Sequence, residues 1–276
     1  MRCSKSIDAI TIVEDGFEGA YPPLGFKQIW EAELGNGDSY GLYWPFGRES
    51  DEPIVCDMLH DEWGLEVAFS SVSVFVKWLE MNDGVRGDNE VDDPNLVSSR
   101  FQSAKKFLQG HPEKAITVLQ GICSDFPEHS EYWFTLASQL RRIGDKEGSA
   151  QAVVSAFASN WVFAMPTNGT LRLLQAAKNI PSLADDPLVA RSSEINMSFG
   201  GAKENSVYEV FKDCITQYLA SSNPLRGILL NQNYGYMMMM ETKSFQERNE
   251  FQIEEWGAEQ SELCLKHLGD NRKSIN

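Results

Sequence analysis

The chain has 276 residues, of which 42% are hydrophobic and seven are tryptophan, so it can form two or three globular units with their own cores. Its formal net charge of −16 disfavours nucleic acid and anionic membranes as partners. No segment approaches the roughly 18 consecutive apolar residues that a membrane-spanning helix needs. The apolar stretch 7–13 is short and interrupted by an acid. We therefore expect no secretory signal and a cytoplasmic location.

The five cysteines lie at positions 3, 56, 123, 214 and 264, and none of them belongs to a CxxC motif. This wide and irregular spacing predicts neither a disulfide framework nor a zinc site. We expect scattered, buried thiols instead.

The negative charge is concentrated in the first third of the chain. Residues 1–97 contain 6 Lys or Arg and 20 Asp or Glu, a net charge of −14. Residues 98–276 contain 18 and 20, a net charge of −2. Such a local excess would speed the capture of a basic partner. It would equally serve solubility alone, and the sequence leaves both interpretations open.

The first part of the chain predicts a sheet. Gly- and Asp-rich residues over 35–38 form a tight turn before the alternating residues Tyr40, Leu42 and Trp44, which is a hairpin pattern. Ser70 or Ser71 is placed to cap an amphipathic helix that follows. Five stretches are predicted as strands: 7–13, 27–34, 39–45, 53–58 and 65–69.

The order of these features resembles the SUKH superfamily, which has the Smi/Knr-type fold. The similar region covers residues 26–80, from the first aromatic strand through the His60-Asp61 turn to the closing helix over 70–79. The resemblance implies an α+β domain with a mixed sheet and helices. Members of that superfamily commonly serve as immunity proteins that neutralise bacterial toxins.

The composition changes after residue 81. Residues 82–99 are acidic, contain Gly and Pro, and show no apolar periodicity, which predicts a linker. The division that follows has four parts: a SUKH-like α+β domain over 1–81, an acidic linker over 82–99, helix pairs over 100–162, and a C-terminal helical region over 163–276.

The helix pairs over 100–162 resemble tetratricopeptide repeats, whose period is 34 residues. Gly110 and Gly144 are 34 positions apart in equivalent turns, and Ala115 and Ser149 are 34 apart at the small position where paired helices touch. Fewer than three such repeats do not bury a continuous face, so we expect the later helices to complete the packing.

Three helices are predicted in the C-terminal region. The first begins at a capping box of Ser206 and Glu209, the second spans 225–240, and the third begins at Ser244 and reaches residue 268. Residues 179–203 are predicted as a loop. The four methionines at 237–240 could form an adaptable binding surface, but we favour core packing because a run of four must face several sides of a helix.

No motif for catalysis, a cofactor or a metal ion is visible. The sequence has no HExxH, no complete dinucleotide fingerprint, no phosphate-binding loop and no nucleophile elbow. His60, Asp61 and Glu62 could form a ligand cluster or an acid–base pair, although we favour a polar turn. We therefore expect a protein that is not an enzyme, while a site assembled from distant residues stays open.

An acidic and aromatic rim on the predicted hairpin and its adjoining turn is the best candidate for partner binding. Tyr and Trp among charged residues are typical of interface hot spots. Period-two alternation places Trp44 in the core and Tyr43 on the surface. The acids could also be no more than solvated surface. The candidate residues are Asp38, Tyr43, Asp51, Glu52, Asp57, Asp61, Glu62 and Trp63.

Two functions follow from the sequence. The first is an immunity protein that binds and neutralises a cognate protein toxin, for which a basic protein such as a nuclease is a candidate. The alternative is a non-enzymatic scaffold or regulatory adaptor whose helical repeats bind a peptide or protein. Neither hypothesis involves nucleic acid or a membrane as the partner.

Overall fold

The computed structural model describes residues 20–31, 38–200 and 204–268. Within these residues a small sheet is followed by helices, which confirms the predicted order of an α+β part and an all-α part. Four of the five predicted strands are present, and the fifth, over 7–13, lies outside the described residues. The first elements are β1 (Phe26–Glu31), β2 (Ser39–Tyr43), β3 (Ile54–Leu59), β4 (Gly64–Phe69) and α1 (Val72–Met81).

The four described strands pair in chain order, each antiparallel to the next. The prediction of a mixed sheet is therefore wrong for these strands. Each strand is joined to the next by a connection that reverses the chain, and strands joined in this way pair antiparallel. A 3₁₀ turn over His60–Glu62 joins β3 to β4, at the place where a polar turn was predicted.

Helix α1 covers one face of the sheet. Ser71 is its cap, because the Ser71 hydroxyl accepts a hydrogen bond from the backbone N–H of Val74. The ring centroid of Tyr40 lies 5.3 Å from that of Phe75 and 5.5 Å from that of Trp78. Rings at this separation attract one another beyond the burial of their area. The sheet and α1 thus form an aromatic core of their own.

The opposite face of the sheet packs onto the helical region. The predicted alternation is right, since Trp44 lies in the core against α1. The predicted exposure of Tyr43 is wrong, because its side chain is 0% exposed. A strand that is packed on both faces has no side exposed to solvent. Alternation in the sequence does not show that a second element packs on the other face. Five side chains of this face join the core of the helices: Phe26, Tyr43, Cys56, Met58 and Leu65.

Residues 82–96 connect the sheet to the helices and are held by side-chain contacts. The guanidinium of Arg86 donates a hydrogen bond to Asp57 of β3 at 2.8 Å. The carboxylate of Asp93 accepts hydrogen bonds from both the backbone N–H and the hydroxyl of Ser70. The acidic segment therefore follows the surface of the sheet.

Four helices follow as two pairs: α2 (Val97–Lys105), α3 (Pro112–Asp125), α4 (Ser130–Arg142) and α5 (Lys146–Ala158). Helix α2 thus begins inside the range 82–99 that the sequence assigned to the linker. Gly110 lies in the turn of the first pair, and Gly144, with a φ of 89°, lies in that of the second. Ala115 of α3 is 0% exposed, in keeping with its predicted place at a helix contact. Both predicted helix pairs are present.

The remaining helices are α6 (Asn168–Ala176), α7 (Pro187–Arg191), α8 (Val207–Leu219), α9 (Pro224–Met239), α10 (Lys243–Arg248) and α11 (Ile253–Leu268). Helix α6 was not predicted from the sequence as a separate helix. The loop predicted over 179–203 is wrong in part, since it contains α7 and two short 3₁₀ turns. Elements of three to five residues have too few apolar positions to show a helical period.

Two predicted caps and one predicted helix are also wrong. Ser206 makes no cap hydrogen bond, whereas Asn205 accepts one from the first N–H of α8. The helix predicted from Ser244 is in fact two helices, and Thr242 caps the first of them. Glu250 lies between them with a φ of 54°, and a left-handed residue ends a helix.

Helix α9 runs through the centre of the C-terminal region. Every residue over 227–238 is buried, and only Met240 at the end of the methionine run is exposed, which confirms core packing for that run. Asn233 ties α9 to the end of α5. Its side chain accepts a hydrogen bond from the backbone N–H of Trp161 and donates one to the backbone carbonyl of Ser159.

The four described cysteines are buried and form no disulfide, as predicted for scattered thiols. Burial raises the pKa of the Cys56, Cys123 and Cys214 thiols, which keeps them protonated and unreactive. Among the helices that the structure describes, none has the combination of length and apolar character that crossing a membrane requires.

Candidate protein-recognition site

The connection between β3 and β4 projects a tryptophan from the sheet. Trp63 follows the 3₁₀ turn and has a left-handed backbone with a φ of 53°. Its side chain is 45% exposed, whereas every other Trp, Tyr or Phe side chain that the structure describes is buried or half-buried. The preceding residues, Asp61 and Glu62, are exposed as well. These three predicted residues form one surface, the Trp63 turn.

Two tyrosine hydroxyls from distant parts of the chain hold the Trp63 turn. The Tyr21 hydroxyl lies 3.1 Å from the carbonyl oxygen of Leu59 and 3.0 Å from that of Gly64, so it bridges the two ends of the turn. The Tyr236 hydroxyl of α9 donates a hydrogen bond to the carbonyl of Trp63 at 2.6 Å. A surface that is already ordered loses little conformational entropy when it binds a partner.

Burial favours the protonated form of both phenols, which is the form that donates these hydrogen bonds. It raises the pKa of Tyr236 to about 12 and raises that of Tyr21 well above its usual value. Nearby negative groups, including Glu62, raise the pKa of Tyr21 further. The Tyr21 ring also packs against Trp63, with ring centroids 5.6 Å apart. The indole is therefore supported by a neighbouring ring while much of it stays accessible.

Arg86 engages Asp38 and Asp57, two acids that the sequence assigned to partner binding. Its guanidinium lies 2.8 Å from a carboxylate oxygen of Asp57 and 3.8 Å from one of Asp38, and 5.5 Å from the centre of the Tyr40 ring. Burial raises the pKa of Asp57 to about 6, Arg86 opposes this rise, and Asp38 and Glu66 add to it. Asp38 and Asp57 therefore balance the charge of Arg86, a residue of the same chain.

Asp51 and Glu52 lie at the other end of β3, in a cleft between the sheet and the first helix pair. The cleft has a volume of about 260 Å³. Arg48 pairs with Asp51 at 2.5 Å, and Arg100 pairs with Asp125 at 2.6 Å. Most charges of this cleft are therefore balanced within the chain.

Apart from Tyr43, the residues of the predicted rim thus lie in three separate places. Six residues of β3, at roughly 3.3 Å each, separate Asp51 and Glu52 from the Trp63 turn by about 20 Å. The contact of Arg86 with Asp57 lies on the strand between these two ends. Of the three places, the Trp63 turn presents both its acids and its aromatic side chain to solvent.

Tyr43, the remaining predicted residue, belongs to a buried polar junction. Its hydroxyl donates a hydrogen bond to Glu128 Oε2 at 2.7 Å. The N–H of Phe46 donates to Glu128 Oε1 at 2.5 Å, and the amide of Asn160 donates to Oε2 at 2.8 Å. This junction joins the sheet to the loops before α4 and after α5. Tyr43 therefore holds the fold together and does not face a partner.

Four residues that organise these places were not predicted from the sequence: Tyr21, Tyr236, Arg86 and Glu128. Tyr21 binds a carbonyl 38 residues away, and Tyr236 binds one 173 residues away, so no local pattern marks either side chain. Arg86 did leave a signal, because it is the single cation in the acidic stretch 82–96. A lone cation among acids predicts an internal ion pair.

The Trp63 turn presents an indole and two carboxylates to solvent, and groups of these types are found where proteins bind one another. In the part of the chain that the structure describes, no three His, Cys, Asp or Glu side chains come together as a metal site would require.

Two family models match the chain. The YfbP N-terminal domain matches residues 12–88, and the YfbP C-terminal domain matches residues 198–276. The chain is 42% identical over 259 residues to an Escherichia coli (strain K12) protein described as "Uncharacterized protein YfbP", and the match covers 92% of each chain. The chain belongs to the YfbP family. No solved structure matches it.

The two YfbP domains meet at the Trp63 turn. Trp63 lies in the N-terminal domain, and Tyr236, which binds its carbonyl, lies in the C-terminal domain. The helix pairs fall between the two matched regions. Neither matching model is that of the SUKH superfamily or of the tetratricopeptide repeat, and both likenesses stay resemblances.

Proposed function

We propose that this YfbP-family protein is a non-enzymatic binding protein whose Trp63 turn recognises a basic protein partner. In the form suggested by the resemblance to the SUKH superfamily, the partner is a bacterial toxin that binding neutralises. The observation that carries the proposal is an exposed tryptophan, next to exposed acids, on a turn held by Tyr21 and Tyr236.

The geometry of Trp63 suits an interface anchor. Tryptophan is enriched among the few residues that supply most of the binding energy in protein interfaces. A left-handed backbone at a non-glycine residue is strained and persists only where the surrounding structure holds it. Here the hydrogen bond from Tyr236 to the carbonyl of Trp63 supplies part of that support.

The charge supports a basic partner. Asp61 and Glu62 on the turn, with Glu66 on the adjoining strand β4, are all exposed. They lie in the third of the chain that has a net charge of −14. Such a field steers a basic protein during encounter and disfavours acidic competitors. A nuclease fits this description, because the surface with which it binds phosphates is basic.

Affinity measurement with the full-length chain tests this proposal, with the product of the neighbouring reading frame as the probe. Trp63→Ala should lower the affinity by roughly tenfold or more, as expected for a hot-spot tryptophan. Ile143→Ala is the matched control, because Ile143 is also 45% exposed but lies at the end of α4. This control should leave the affinity unchanged.

The same two variants distinguish the adaptor alternative. If the helix pairs held the partner, Ile143→Ala would weaken binding and Trp63→Ala would not. A neighbouring protein that binds neither the wild-type chain nor its variants would reject the immunity role.

A further inference from the structure

A second cleft lies among the C-terminal helices. It has a volume of about 330 Å³ and lies between α8, α9 and α11. This volume is at the lower end of the range for ligand pockets. Three aromatic side chains line the cleft: Tyr234, Phe251 and Trp256. The rings of Tyr234 and Phe251 meet edge to face, with centroids 5.8 Å apart.

The same cleft is acidic at its opening. Glu250, Glu255 and Glu259 line it and are exposed, whereas Lys212 is the one cation among its lining residues. Glu255 and Glu259 are four residues apart on α11, so their side chains lie on one side of the helix. Aromatic walls with carboxylates at the edge favour a cation over an anion or a neutral group.

Lys212 marks the position that a cation would take. Its ammonium nitrogen lies 5.8 Å from the centre of the Tyr234 ring, within the range of a cation–π contact. The Lys212 side chain is exposed and not part of the core, so another cation can displace it. Tyr234 itself stays neutral, because burial, with Glu209 and Glu259, raises its pKa to about 12.

We propose that this cleft binds one arginine or lysine side chain of a basic polypeptide. The cation lies over the aromatic wall in place of Lys212, and the carboxylates of Glu255 and Glu259 pair with its charge. This site is independent of the proposed function of the Trp63 turn. Tyr234 and Tyr236 are two residues apart on α9, or about 200° around the helix, so they serve opposite sides of it.

The test uses the full-length chain and a short glycine peptide that contains one arginine, titrated by calorimetry at low salt. The control peptide has glutamine in place of the arginine. We expect binding of the arginine peptide alone. Equal binding of both peptides, or no binding of the arginine peptide at millimolar concentration, would overturn the proposal.

Variants with opposite expected effects sharpen the test. Glu255→Gln together with Glu259→Gln should weaken arginine-peptide binding roughly three- to tenfold, since each exposed ion pair contributes modestly. Glu254→Gln with Glu262→Gln is the matched control, because both residues are exposed on α11 but do not line the cleft. The control pair should leave the affinity unchanged.

Lys212→Gln should tighten the binding of the arginine peptide by roughly two- to threefold, because it removes a competing cation and its repulsion. Weaker or unchanged binding in this variant would show that the peptide does not take the place of Lys212. An equal loss in both glutamate pairs would indicate general attraction to an acidic surface. Either result would contradict the proposal.

Discussion

Tyr43 of the sheet and Glu128 of the helical region, 85 residues apart in sequence, share a buried hydrogen bond of 2.7 Å. Glu128 is 0% exposed, and its carboxylate also accepts hydrogen bonds from Phe46 and Asn160. A buried carboxylate is tolerated only where such donors replace water. The sheet and the helices therefore depend on each other through this junction.

Tyr43→Phe should lower the free energy of unfolding by about 1–3 kcal/mol, because it leaves the buried Glu128 carboxylate with one donor fewer. Urea denaturation of the full-length chain measures this change. Tyr132→Phe is the control, since Tyr132 is also a buried tyrosine, at 5% exposure, and it makes no contact with the Glu128 carboxylate among the described residues. A loss in Tyr43→Phe no larger than in the control would contradict a stabilising role for the junction.

Acid should destabilise the fold through His129, which stacks on Tyr132 with ring centroids 4.0 Å apart. Burial lowers the pKa of His129 from 6.5 to about 4, so folding favours its neutral form. The stability from this group is fully present above pH 6.5 and is lost as pH falls toward 4, by up to about 3 kcal/mol. His129→Gln should reduce the difference between urea denaturation at pH 7.5 and at pH 4.5.

Asp57 should change stability in the opposite direction. Its folded pKa of about 6 lies above the usual 3.8, so its contribution is present at low pH and is lost as pH rises through 6. Asp57→Asn should therefore steepen the loss of stability on acidification. If Asp57→Asn and His129→Gln changed the pH profile in the same direction, the assignment of the two groups would be wrong.

The strands and the helix pairs could be predicted from sequence because each follows a local pattern. Alternation places Tyr40 and Trp44 together, and the spacing of Gly110 and Gly144 marks two equivalent turns. The surface assignment of Tyr43 failed because the element that covers it begins more than 80 residues later. Period-two patterning states which side chains share a face, but it does not state what that face touches.

The candidate site was predictable only in its residue types. Asp61, Glu62 and Trp63 are neighbours in sequence, and the structure presents them together. The acids Asp38 and Asp57 looked equivalent to them, yet both lie beside Arg86, which follows them by 29 residues or more. The sequence marks Arg86 as a lone cation among acids, but it does not state which of those acids Arg86 contacts.

Limited proteolysis should cut first in the segment 82–96, where Arg86 is the one tryptic site. The contact of Arg86 with Asp57 protects this site in part. Asp57→Ala should therefore speed the tryptic cut after Arg86, whereas Asp88→Ala, an equal loss of charge at an exposed position, should not. A first cut within 39–81 would contradict the boundary that we place after α1.

Salt should slow association with a basic partner, because charge steering is screened over roughly 8–10 Å at ordinary ionic strength. Asp61→Asn with Glu62→Gln should lower the association rate constant by roughly two- to fivefold and weaken its salt dependence. Trp63→Ala should act mainly on the dissociation rate constant, because a buried anchor is lost. Surface plasmon resonance over a salt series separates the two effects.

Asp51→Asn with Glu52→Gln is the matched control for these rates. The pair carries the same charge but lies at the far end of β3, in the cleft where Arg48 already binds Asp51. Its neutralisation should change the association rate less than that of Asp61 and Glu62. If the two pairs had equal effects, steering would come from the overall field of the acidic third and not from the Trp63 turn. An unchanged dissociation rate in Trp63→Ala would remove the turn as the contact.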